Sequence, residues 1–237
     1  MDEAWEVLTL IGMILFMAAL FGGCIWAWRH VKKRDDRSPQ QREELLQFIE
    51  SRGWSHTASF PGGGDRYCGG PPLPMQGVNI PIWDYTVGEF RGRAFCCFEY
   101  NTRNTNSDGP DTWRYNTVFA VTMPTSGPRM SVERPRPFDK LNARLGEFFG
   151  GGKVVELGVP EFDKAFRIIA DDEAFARSVL NGYLAQFLTS DPRAKDQPLR
   201  FHGNELLTWH QGRLRPEHID QKLNYLCDVL DHQPAQA

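Results

Sequence analysis

Residues 7 to 28, VLTLIGMILFMAALFGGCIWAW, run for 22 positions without a charge, and Arg29, Lys32, Lys33 and Arg34 follow within six. At about 1.5 Å per residue such a helix reaches about 33 Å, enough to cross a hydrocarbon core about 30 Å thick. A buried core helix seldom runs this far without a polar residue beyond Thr9. A cleaved signal peptide would want basic residues before the run and a small-x-small site after it. Here Asp2, Glu3 and Glu6 precede it and Trp-Arg-His follows. The run reads as one uncleaved transmembrane helix. Positive charge stays on the cytoplasmic side, so the N-terminus is expected outside and the rest of the chain in the cytoplasm. Trp5, Trp26 and Trp28 fall where interfacial aromatic belts form. Ala18 with Gly22, and Ala19 with Gly23, are small pairs four apart that would let two such helices pack closely.

The anchor accounts for the formal net charge of −3, because its three acids leave 27 acidic and 27 basic residues behind. A nucleic-acid binder normally shows a basic excess, so that class is set aside. Five cysteines, one inside the span and none in a Cys-x-x-Cys pair, suit reduced thiols in a cytoplasmic domain.

Ser38-Pro39 with Gln41 three residues on reads as a capping box opening a stalk helix, with Leu45, Leu46, Phe48 and Ile49 on one side and Gly53 at its end. Residues 55 to 77 hold six Gly and four Pro and read as a long loop. Ile80–Val87, Arg93–Tyr100 and Trp113–Met123 alternate apolar and polar, the pattern of a half-buried antiparallel meander. Pro124, Pro128, Pro135 and Pro137 then suggest a boundary near 135.

Beyond it are expected a helix over 139–149, strands at Val154-Val155 and 166–170, and a helix capped by Asp171 or Asp172. A hairpin is expected about Gly203-Asn204, then a final helix from Pro216 with Ile219, Leu223, Leu226 and Leu230 buried. The expected fold class is α+β: one N-terminal transmembrane helix, then an antiparallel β-meander and a mixed helix/strand C-terminal half. Four regions follow: an anchor over 1–28, a basic juxtamembrane segment and stalk over 29–52, a β-rich region over 53–135 and an α+β region over 136–237.

Several segments carry a resemblance. Arg52-Gly53-Trp54, Gly92-Arg93-Ala94-Phe95, Pro160 to Phe166, Ala170-Asp171-Asp172 and Leu214-Arg215-Pro216 resemble a bacterial family of membrane-anchored proteins of unknown function. The pattern is of the actinobacterial type, and 20 Arg against 7 Lys suits a high-GC genome. The resemblance implies a membrane-anchored cytoplasmic α+β domain and brings no activity with it.

The chain carries no complete catalytic signature. Gly150-Gly151-Gly152-Lys153 lacks the earlier Gly and the Ser or Thr of a phosphate loop. The glycines at 62–64 and 69–70 lack a strand-to-helix context. His202 and His210 would face each other across the expected hairpin, with His218 nearby, in an unpatterned set. Asp163, Asp171 and Asp172 are acidic, but capping accounts for one of the latter two. Ser126 sits among prolines without a nucleophile motif, and Cys68 lies beside Arg66, which in principle lowers a thiol pKa. No catalytic, cofactor-binding or metal-ligating residue is assigned, and no cofactor is expected. The reading is a membrane-tethered cytoplasmic module that binds a protein or the membrane surface without catalysis. The alternative is a hydrolase or other enzyme whose site assembles from scattered residues. Expected partners are the lipid bilayer through residues 7–28 and a protein or a second copy of the chain.

Overall fold

The computed structural model describes residues 38–104, 112–135, 152–180 and 182–233. The expected transmembrane run and the helix over 139–149 lie outside these residues. Among the described residues, no helix is long and apolar enough to cross a membrane. Glu44–Ala237 cluster as one unit and Met1–Glu43 as another.

Helix α1, Pro39–Ser51, opens with the expected capping box: Gln41 N donates to Ser38 Oγ at 3.2 Å and Ser38 N to Gln41 Oε1 at 3.3 Å. It ends at Gly53, whose φ of +69° suits a residue without a Cβ. Leu45 and Ile49 are buried, while Leu46 is exposed.

Among the described residues, seven strands form one antiparallel sheet: β1 (Ser55–Phe60), β2 (Ile82–Phe90), β3 (Arg93–Asn104), β4 (Thr112–Glu133), β5 (Lys153–Val155), β6 (Arg167–Ala170) and β7 (Leu199–Gln211). Strands β1 to β4 pair in sequence as a meander, and β6 and β7 both pair with β4. Between β5 and β7 lie α2 (Pro160–Ala165), α3 (Glu173–Val179) and α4 (Gly182–Ser190); α5 (Pro216–Asp231) follows β7. The class is α+β, as the patterning implied.

Three expectations are corrected. Ser55–Phe60, placed in a loop, forms the edge strand β1; it pairs with β2 although all but one of its residues are exposed, so it carried no buried alternation to read. Strand β4 runs through Pro124 and Pro128 to Glu133. Both prolines fall where the β4–β7 register shifts, between Thr122 and Gly127 and between Gly127 and Met130, so a missing N–H costs no ladder bond there. The hairpin about Gly203-Asn204 does not form. Its two arms pair with successive stretches of β4, not with each other, and make one continuous strand.

Strand alternation splits the core. Phe95, Cys97, Phe119 and Val121 pack with the helices, including Ile219, Leu223 and Leu226 of α5. Cys96, Phe98, Val118 and Ala120 face the other way, against Tyr67, Leu73 and Ile80 of the 61–81 segment. The adjacent cysteines therefore sit on opposite faces, as period two requires. Helix α5 is also held electrostatically: Arg91 meets Asp228 and Asp231 at 2.7 Å, Arg93 meets Asp231 and Arg52 meets Asp220.

A cleft across the strands as candidate functional site

The 61–81 segment covers only part of its face of the sheet. Asp65 closes it by accepting from Asn79 N at 2.9 Å and Ile80 N at 2.7 Å. Arg200 of β7, 1 % exposed, donates to the carbonyls of Tyr67, Gly70 and Pro71. Burial, aided by nearby Arg129, pulls its pKa down to about 10. Arg129 donates to Gly69 O, and the His202 ring Nε2 lies 2.8 Å from Arg66 O. The segment packs closely: a Cβ on Gly77 would stand 2.2 Å from Ile80 Cδ1, so that side chain would have to move.

Beyond this cover the sheet face stays open as a cleft of about 750 Å³. Register places its floor. Ser55 of β1 faces Val87 of β2, Val87 faces Cys96 of β3, and Thr122 of β4 faces Glu205 of β7, so the cleft runs transversely over five strands. Arg66 rises from the covering segment and meets Glu205 at 3.0 Å. Desolvation raises the Glu205 carboxyl above its ordinary pKa, with Arg66 and Tyr67 opposing. The Tyr67 hydroxyl lies 2.9 Å from Cys96 Sγ at the back of the cleft. Burial pushes the Cys96 thiol up to about 11, although the Tyr67 bond pulls the other way. Burial of this kind disfavours the thiolate, the reactive form.

The residues singled out in the sequence fall in different places. His202 lines the cleft, and burial, reinforced by Arg200, lowers its pKa. His210 lies eight residues along the same strand and instead meets His218 edge-on, with ring centroids 4.6 Å apart. The expected grouping thus holds for His210 with His218 and fails for His202. Cys68 is partly buried and its pKa is raised, chiefly by burial and then by Asp65; Arg66 turns to Cys96 instead. Asp163 accepts from Leu157 N and Gly158 N, Asp171 pairs with Arg129, and Asp172 caps α3 by accepting from Phe175 N at 3.0 Å. Lys153 begins β5, as the strand reading required, and Ser126 lies within β4. Among the described residues, no three His, Cys, Asp or Glu side chains come together as a metal site. The sequence presents Arg66 only as a neighbour of Cys68, Asn204 only as a turn residue, and Glu205 only as the start of a hairpin strand. Only the register of β7 against β4 and the path of the covering segment bring them to one cleft.

No family model matches the chain, and no curated protein does. Among solved structures, the chain is similar to the mycobacterial trehalose monomycolate transport factor A, TtfA. The TM-score is 0.54 at 13 % identity, over 84 % of this chain and 99 % of that one. At that identity the likeness is one of fold, and it places the fold in a bacterial protein.

Proposed function

We propose that this chain is a membrane-tethered, non-catalytic accessory module, anchored through residues 7–28 with its α+β region in the cytoplasm, and that the transverse cleft is its recognition surface. The observation that carries the reading is how the cleft wall is committed. Arg66 pairs with Glu205, Tyr67 holds Cys96, and His202 meets a backbone carbonyl. A nucleophile is activated by an adjacent base, a lowered pKa or a metal. The cleft thiol has the Tyr67 hydroxyl and Arg66 around it, and burial raises its pKa. The fold shared with a transport factor supports an accessory role, and trehalose monomycolate transport is the process to test first. The membrane-anchored character implied by the family resemblance supports the tether.

The test is genetic complementation in the source bacterium. Deleting residues 7–28 should abolish function. Single alanine replacements at Cys68, Asp163 and His210 should preserve it. Loss of function in any one of those three, with the protein folded and at normal abundance, would replace this reading with an enzyme.

A further inference from the structure

Arg66 and Glu205 stand side by side in the cleft as donor and acceptor, paired to each other yet still partly exposed. Among the described residues, the Arg66 hydrogen bonds to Tyr67, Cys96 and Glu205 run through Nη2. Its side chain is 55 % exposed, so Nε and Nη1 stay open to a ligand. Glu205 receives Arg66 and Tyr67 on Oε1, which leaves Oε2 as an acceptor. Asn204 is exposed at the rim and adds an amide that both donates and accepts. Tyr85 and Val87 supply an apolar strip on the floor.

We propose that this cleft binds a neutral polyhydroxylated ligand, either a free disaccharide or the sugar headgroup of a glycolipid, held between Arg66, Glu205 and Asn204 over Tyr85 and Val87. The inference rests on the reading of the cleft as a recognition surface and names its ligand. Charge complementarity selects the class. A carboxylate or phosphate drawn to Arg66 meets the Glu205 carboxylate 3.0 Å from the same guanidinium, and an ammonium drawn to Glu205 meets Arg66. A hydroxyl both donates and accepts, so vicinal hydroxyls satisfy both partners without adding charge. The C–H faces of a sugar ring then lie on the apolar strip. A cleft of about 750 Å³ has room for two rings and falls within the range of roughly 300–1,000 Å³ common to small-ligand sites.

Saturation-transfer NMR on the full chain, purified in a detergent without a sugar headgroup, tests this with maltose and trehalose as free probes. Nanodiscs with and without a diglucosyl diacylglycerol test the headgroup. Saturable transfer to a free disaccharide, or binding confined to glycolipid nanodiscs, supports the proposal and tells the two sources apart. Arg66→Met and Glu205→Gln should each weaken binding about tenfold or more, the cost of losing a charged hydrogen-bond partner. If either fails to fold, Asn204→Ala decides, because that side chain is exposed and holds no structure together. Absence of saturable binding in both formats, binding unchanged in all three variants, or displacement by inorganic phosphate overturns it. A negative sugar result with tether-dependent complementation intact rejects the ligand and keeps the parent reading. Complementation without the tether rejects the parent.

Discussion

Gly127 of β4 stands opposite Gly203 of β7, at the point where the ladder between the two longest strands changes register. Gly203 adopts φ +60°, and a Cβ on Gly127 would lie 2.4 Å from two ring carbons of Phe175 in α3. The pair lets one continuous sheet carry both the cleft end and the α3 end of the molecule. Gly127→Ala should therefore lower stability by about 1–3 kcal/mol through overpacking. Thermal denaturation followed by circular dichroism checks it, and pairing Gly127→Ala with Phe175→Leu should recover part of the loss. A melting temperature equal to the parent's would show that the ring moves aside freely.

Glu99 is 0 % exposed and accepts from Arg213 Nη1 at 2.8 Å and Leu214 N at 2.6 Å. It pins the turn between β7 and α5 to the centre of β3. Removing Arg213 takes away the opposite charge beside the buried Glu99, which keeps its bond from Leu214 N, so Arg213→Met should cost about 3 kcal/mol. Glu99→Gln keeps an acceptor for Leu214 N and should cost less. Urea titration of both variants tests that order, and equal midpoints would contradict it.

His210 is stacked on Phe119 with its ring against His218. Burial first, then the charges of His218 and Lys222, bring its pKa down to about 4, against an ordinary 6.5. Between pH 6.5 and 4 the unfolded chain thus binds a proton that the folded one refuses, and stability falls as pH drops through that window. His202 and His218 are also depressed, so His210→Gln should shallow this slope without abolishing it. Urea midpoints measured from pH 7.5 to 4.5 would show the change, and identical slopes for parent and variant would remove His210 from the account.

The charge asymmetry about residues 7–28 predicts an N-out, C-in topology. Alkaline phosphatase fused after Ala237 should be inactive, while a fluorescent protein there should glow at the cell periphery. An active phosphatase fusion would reverse the orientation.

Much of the architecture was legible because it is local. A capping box satisfies two backbone donors within four residues, so Ser38 and Gln41 announce α1 by themselves. Period two in β3 separates Cys96 from Cys97 whatever else the chain does. The four-three-four spacing of Ile219, Leu223, Leu226 and Leu230 makes α5 amphipathic before any partner is known, and all four are buried. Asp172 likewise caps α3 by a bond to Phe175, three residues away.

What tertiary structure alone decided is pairing. Gly203-Asn204 is good turn chemistry, yet a long neighbour, β4, offered both arms a ladder, and continuous pairing displaced the turn. Pro124 and Pro128 would break a regular strand but are harmless where the register already shifts. Arg66 and Glu205 lie 139 positions apart and meet because Arg200, His202 and Arg129 hold the carbonyls of the covering segment in place. The sequence alone determined most helices and the alternating strands with their inward faces, since propensity and periodicity act over a few residues. The cleft came from contacts between distant segments, whose energies depend on partners that no local pattern names.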